Sequence, residues 1–125
     1  MNVLIADDND NCIQMLQEVL SLFPDVHTTA AENGCEAWWH LSNPGQVFDL
    51  VITDVKMPMV SGLQLIQRMR SYPDLKHIHV ILSTGLHDRK TVEVFKELGI
   101  VHYVVKPYTR DTMLERIKLV LSSPG

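Results

Sequence analysis

Five side chains of the types used in phosphoryl and metal chemistry stand directly after runs of β-forming residues. Asp7 and Asp8 follow Asn2-Val3-Leu4-Ile5-Ala6, and Asp54 follows Phe48-Asp49-Leu50-Val51-Ile52-Thr53. Thr84 follows His79-Val80-Ile81-Leu82-Ser83, and Lys106 follows the run from Ile100 to Val105. Were those runs laid side by side, three carboxylates, one hydroxyl and one ammonium would meet at one rim. Three close carboxylates repel one another unless a cation or protons intervene. Oxygen ligands with room left for water suit Mg²⁺, which a few carboxylates and a substrate phosphate typically hold. A lysine and a threonine beside such an ion would neutralise and bond the oxygens of a phosphoryl group in transfer. One carboxylate can then act as the nucleophile. Singly, each residue has a plainer reading. An aspartate after a strand is usually a helix cap, and a lone lysine is usually surface charge. Their joint placement carries the functional reading.

That placement depends on the elements between them. From Asp10, a good N-cap, apolar residues fall at Cys12, Ile13, Leu16, Val19, Leu20 and Phe23, a helical stripe broken at Pro24-Asp25. Residues 26–31 read as a second, more polar strand near an edge. Asn33-Gly34 opens a helix carrying Ala37, Trp38 and Leu41, and Asn43-Pro44-Gly45 ends it. Residues 62–71 and 88–98 read as further helices, the latter closed by Gly99 at C′. Thr109 caps a last helix with Met113, Leu114, Ile117, Val120 and Leu121 on its apolar side. This is β-α five times over. Nearly continuous Val/Ile/Leu strands between amphipathic helices mean a parallel sheet covered on both faces. Right-handed crossovers favour the doubly wound, flavodoxin-like (βα)5 fold with a five-stranded parallel sheet in the order 2-1-3-4-5. In such sheets ligands bind beyond the carboxyl ends of the strands, where the order switches. Residues 1–121 form the expected domain, and Ser122-Ser123-Pro124-Gly125 reads as a linker-like tail.

A chain of 125 residues with 46% apolar and 21% charged side chains is one globular domain. No apolar run approaches the roughly 20 residues a membrane helix needs, and the start lacks a signal peptide's basic and apolar segments, so a cytoplasmic protein is expected. Charge is uneven. Residues 1–65 hold nine acids and one base, Lys56, whereas residues 66–125 hold ten bases and six acids. The bases are interleaved with acids along helices and read as solvated faces, with no nucleic-acid footprint. Cys12 and Cys35 sit in no metal-binding spacing and read as two buried free thiols. Six scattered histidines form no convincing pair, although His77 and His79 share a strand face by parity. Trp38 and Trp39 cannot both face the core, and the methionines read as core filler. Asp7-x-Asn9-x-Asn11 with Glu18 matches the ligand spacing of a Ca²⁺ loop. Cys12 stands where that loop needs glycine, and a strand precedes the segment, so the match is set aside.

The motifs Ala6-Asp7-Asp8-Asn9, Ala31-x-Asn33-Gly34-x-Glu36-Ala37, Asp54-Val55-Lys56-Met57-Pro58-x-x-x-Gly62, Val80-Ile81-Leu82-Ser83-Thr84-Gly85 and Gly99-x-x-x-Tyr103-x-x-Lys106-Pro107 form a specific set. Together they resemble the receiver domain of a two-component response regulator over essentially the whole chain. The resemblance implies that Asp54 is the phosphoacceptor, taking its phosphoryl group from a phosphohistidine on a histidine kinase or phosphotransfer protein. It implies Mg²⁺ held by Asp7, Asp8, Asp54 and the backbone carbonyl of Lys56. Thr84 and Lys106 would bind the phosphoryl group, and Tyr103 would turn inward as Thr84 moves. The Lys106-Pro107 bond is expected to be cis. Lys56 and Leu86 lie at positions that tune phosphate lifetime in such domains.

The implied function is a phosphorylatable switch that assists its own phosphorylation and dephosphorylation, and no separate substrate enzyme. Aspartyl phosphate adds about −2 charge beside Lys106 and Thr84, enough to bias an element with two arrangements. The implied output face is helix 4, strand 5 and helix 5, with Lys90, Lys96, Tyr103, Tyr108 and Arg110 as candidate contacts to a downstream output domain or protein. The chain is then a monomer or a phosphorylation-dependent dimer. Two alternatives share the topology. A flavin-binding electron carrier needs a phosphate loop after strand 1, where Asp7, Asp8 and Asp10 would repel phosphate. An aspartyl-phosphate hydrolase needs a second acid two residues after its nucleophile, where Lys56 stands.

Overall fold

The computed structural model describes residues 1–85, 89–100 and 102–122, with the side chains of residues 89–92 left aside. Five strands alternate with five helices: β1 (Asn2–Ala6), α1 (Asp10–Leu20), β2 (His27–Ala31), α2 (Gly34–Leu41), β3 (Leu50–Asp54), α3 (Gly62–Arg70), β4 (His79–Thr84), α4 (Arg89–Glu97), β5 (Tyr103–Val105) and α5 (Arg110–Ser122). The strands form one parallel sheet in the order β2-β1-β3-β4-β5, as the alternation of elements requires.

Strand alternation sends successive side chains to opposite faces. Leu4, Ala6, Val51, Val80 and Leu82 pack with Ala37, Leu41, Leu65, Ile66, Met69 and Phe95 on the face covered by α2, α3 and α4. Val3, Ile5, Leu50, Ile52, Ile81 and Val104 pack with residues of α1 and α5, among them Leu16, Val19, Met113 and Ile117. The strands are apolar on both sides because both sides are covered.

Helix ends follow from local chemistry. The N-cap of α1 is Asn9 and not Asp10: its Oδ1 accepts from the N–H groups of Asn11 at 2.9 Å and Cys12 at 3.2 Å. At α3, Ser61 and Gln64 exchange side chain and backbone in a capping box. Thr109 Oγ1 accepts from the Thr112 N–H at 3.1 Å at the head of α5.

Several boundaries differ from the sequence reading. β5 begins at Tyr103 because Ile100 closes α4: its N–H donates to the Phe95 carbonyl at 2.8 Å, with Gly99 at φ 75°. Asp54 and Thr84 are the last residues of β3 and β4 and not the first beyond them. Ser122 belongs to α5 and not to the tail. Asp88, His87, Leu86 and the tail residues 123–125 lie outside the described residues, as does the side chain of Lys90.

Candidate functional site

The carboxyl ends of β1, β3, β4 and β5 form one rim, and all five anticipated side chains lie there. β1 places Asp7 deep, at 2% exposure, while Asp8 is exposed. β3 ends on Asp54, at 8% exposure, and β4 on the buried Thr84. Lys106 follows β5, and its backbone N–H donates to the Thr84 carbonyl at 2.7 Å, binding the two strand ends together. The next peptide bond, Lys106–Pro107, is cis, as expected.

The centre of the rim is a shared ammonium. Lys106 Nζ donates to Asp54 Oδ2 at 3.0 Å and to Asp7 Oδ2 at 3.1 Å. One positive charge therefore stands between two carboxylates. Burial pushes the lysine toward its neutral form, but the hydrogen bonds to Asp54 and Asp7 outweigh it and raise its pKa above the usual value. Burial pushes the Asp7 carboxyl up; the Asn9 N–H and Lys106 oppose this, and the charge of Asp54 adds to it. Asp7 Oδ1 accepts from that Asn9 N–H at 2.9 Å, so its two oxygens are oriented from opposite sides.

Carboxylate oxygens of Asp7, Asp8 and Asp54 all lie within 4.8 Å of one another, a spacing that lets each offer one ligand atom to a single ion. An all-oxygen, partly exposed acidic set fits Mg²⁺ better than a softer metal. One lysine for three acids leaves a net negative pocket that a divalent cation would neutralise. The Ca²⁺-loop spacing dissolves here. Asn9 is the helix cap, and Glu18 sits on α1 and pairs with Arg110 at 2.6 Å.

Position 62 is dictated by the backbone of Asp54. A Cβ there would lie 2.1 Å from the Asp54 carbonyl oxygen, so only glycine lets α3 start against the end of β3. The intervening loop holds Met59 at φ 71° with 77% exposure, contrary to the reading of all methionines as core filler. The two cysteines are free but not buried as expected, since Cys12 is half-buried and Cys35, in the first turn of α2, is exposed. The Lys56 side chain is exposed.

The chain matches, over residues 3–118, the family described as response regulator receiver domain. It belongs to that family. Among receiver relatives, the chemotaxis protein CheY1 of Helicobacter pylori is 30% identical over 98% of this chain and 98% of its own length. The cyclic-nucleotide phosphodiesterase regA of Dictyostelium discoideum is 34% identical over 98% of this chain, which spans only 16% of that protein. The structure of the chemotaxis response regulator CheY4 of Vibrio cholerae superposes with a TM-score of 0.85 at 25% identity, covering 95% of this chain and 97% of that one. The signal receiver domain of a histidine kinase from Syntrophus aciditrophicus gives a TM-score of 0.84 at 32% identity, covering 97% of this chain and 89% of that one.

A receiver domain is a phosphoacceptor signalling domain of two-component systems, a phosphorylatable switch with an acidic Mg²⁺ pocket. The flavin-carrier and hydrolase alternatives give way to this membership. Among the described residues, no helix is long and apolar enough to cross a membrane.

Around this receiver's rim, the other anticipated contacts divide. Tyr103 is half-buried, its ring 5.5 Å from Phe95 of α4. Lys96 is exposed. Arg110 is engaged with α1 through Glu18. Tyr108 is turned inward: its hydroxyl oxygen is buried close to the buried hydroxyl of Ser83. Burial raises the phenol to about 12, with the nearby Cys12 thiol adding and Lys106 opposing. Sequence reasoning missed the roles of Asn9 and Gly62. An Asx residue two positions after a strand-end aspartate is the available signal for the first.

Proposed function

We propose that Asp54 accepts a phosphoryl group from a phosphohistidine of a histidine kinase or phosphotransfer protein. A carboxylate oxygen of Asp54 attacks phosphorus, the P–N bond breaks, and the imidazole leaves with its electron pair and takes up a proton. The observation that carries this reading is the Lys106 Nζ between Asp54 Oδ2 and Asp7 Oδ2 at 3.0 and 3.1 Å. It places a cation where the incoming oxygens must gather, in contact with the attacking carboxylate. Asp7, Asp8, Asp54 and the Lys56 carbonyl would hold Mg²⁺, which when bound supplies charge neutralisation of the transferring group. Thr84, buried at the end of β4, hydrogen-bonds a phosphoryl oxygen, and Lys106 shifts its donor from the carboxylate to the phosphoryl group. The same groups assist hydrolysis of the acyl phosphate.

Movement at Thr84 is passed to the α4–β5–α5 face through Tyr103, whose ring already rests on Phe95 of α4. A downstream output domain or protein reads that face, by docking or by phosphorylation-dependent dimerisation. The test is incubation with Mg²⁺ and acetyl phosphate, followed by intact mass. A gain of about 80 Da, one phosphoryl group, is expected in the parent. Its absence in Asp54→Asn and in the presence of excess chelator is also expected. A gain that survives Asp54→Asn assigns the acceptor elsewhere.

A further inference from the structure

The motif Asn33-Gly34-x-Glu36-Ala37 opens α2 and contributes no side chain to the acidic rim. Asn33 caps the helix, its Oδ1 accepting from the Glu36 N–H at 2.8 Å. Gly34 is buried against the loop that leaves Asp54. A Cβ at position 34 would overlap the Val60 carbonyl oxygen and stand 2.5 Å from the Val60 Cβ and 2.6 Å from its carbonyl carbon. Those atoms are backbone or fixed to it, so no rotamer change makes room. Gly34 lacks the positive φ found at Gly99, so close approach alone demands glycine here.

The loop between β3 and α3 is closed at its ends. The Val55 N–H donates to the Ser83 carbonyl at 2.9 Å, and the Gly62 N–H to the Val55 carbonyl at 2.9 Å. Thr53 Oγ1 reaches Met57 Sδ at 3.9 Å. Between those ties Lys56, Pro58 and Met59 are exposed. Val60 is instead buried in the core beneath α2 and α3. A left-handed residue such as Met59 persists only where its surroundings over-determine it, and the seating of Val60 beside it supplies that constraint. Helix and loop are unequally held. Ala37 and Leu41 bind α2 to the core, and Asn33 caps it, whereas the loop has few bonds and one buried anchor. A side chain at position 34 therefore displaces the loop and not the helix.

We propose that Gly34 is a positioning residue for phosphoryl transfer: its bare backbone seats Val60 and so fixes the loop that carries Lys56. This rests on the proposed function, in which the Lys56 carbonyl is a ligand of Mg²⁺. Gly34 touches no reacting group and acts through the loop alone. Mg²⁺ demands near-ideal octahedral geometry, so a displaced ligand costs it more than it would a larger ion. Asp7, Asp8 and Asp54 stand at the ends of β1 and β3 and do not depend on the loop. Disturbing the seat therefore weakens the metal before it touches the carboxylates.

The experiment titrates the full chain with MgCl₂, without phosphodonor, and follows backbone amides by NMR. Phosphorylation by acetyl phosphate is then measured at low and at saturating Mg²⁺. Gly34→Ala should shift amides between residues 55 and 61 and weaken Mg²⁺ binding about tenfold, the usual loss when a group that orients a ligand is disturbed. Its phosphorylation should be slow at low Mg²⁺ and regain most of the parent rate at saturation, a split that loss of stability alone does not produce. Val60→Ala withdraws the seat from the other side without a clash. It should weaken Mg²⁺ several-fold, and it decides the matter if Gly34→Ala does not fold. Leu41→Ala is the control, about two turns along the same helix and buried in the same core. It should cost stability yet keep Mg²⁺ affinity within about twofold of the parent. Parent-like affinity in the folded seat variants, amide shifts confined to α2, equal weakening by Leu41→Ala, or slow phosphorylation that Mg²⁺ does not relieve would each overturn the proposal. A parent that binds Mg²⁺ but gains no mass overturns the proposed acceptor, and the Mg²⁺ titration still decides the role of Gly34. A parent that binds no Mg²⁺ overturns that role.

Discussion

Lys106 is shared by two carboxylates, so its removal is not equivalent to removal of either acid. In Asp54→Asn the ammonium keeps Asp7, and the pocket loses a repulsive charge. That variant should unfold within about 1 kcal/mol of the parent, or somewhat above it, in urea at neutral pH. Lys106→Met instead leaves the nearly buried Asp7 and Asp54 facing each other without a cation. It should lose about 2 kcal/mol by the same measurement, reduced by partial access of water to the pocket. Millimolar Mg²⁺ should restore part of that loss, since an ion that binds only the folded acid cluster stabilises by mass action. A Lys106→Met protein as stable as the parent in chelator would show that the two acids do not compete for the ammonium. Its phosphorylation by acetyl phosphate should also slow by about a hundredfold, the usual consequence of deleting one preorganised donor at a reacting oxyanion.

At the scale of elements, the site depends on how closely α3 can start against β3. Gly62→Ala drives a Cβ to 2.1 Å from the Asp54 carbonyl oxygen, which only a shift of backbone can relieve. A loss of about 1–3 kcal/mol is expected on thermal or urea unfolding, the cost of overpacking, together with slower phosphorylation because Asp54, the proposed nucleophile, moves with its carbonyl. Gly85→Ala is the control on the same rim: among the described residues nothing lies within 4 Å of its Cβ, and its stability should stay within about 0.5 kcal/mol of the parent. The elements themselves are legible in the sequence because both sheet faces are covered, which makes each strand a short apolar run between helical stripes. What the sequence hides is where each element yields to the next. Ile100 looks like strand but serves as the hydrophobic closure of α4. Asp10 looks like a cap, yet Asn9 takes that role, because its side chain reaches two N–H groups while its own N–H holds Asp7. Such choices are settled by hydrogen bonds between neighbours that a periodicity pattern does not record.

The whole molecule has two differently charged rims, and they are unequally legible. The acidic rim can be read because strand order alone carries Asp7, Asp54, Thr84 and Lys106 to the same end of a parallel sheet. The basic rim cannot, since Arg70, His79 and His102 meet only through the tails of α3 and α4 and the starts of β4 and β5, whose boundaries are local. One of its histidines nonetheless contributes to how the fold responds to acid. His102 is held below its ordinary value of 6.5 by burial first, then by Arg116 and His79. The unfolded chain therefore takes up a proton at this residue before the folded chain does. Stability from keeping His102 neutral is fully present above 6.5 and declines as pH falls from there toward the lower folded value, below which it is flat. Urea midpoints measured from about pH 8 to about pH 5 should fall through that window, and His102→Gln should flatten the fall without lowering the midpoint near pH 8. An unchanged slope in His102→Gln would move the acid sensitivity to other groups.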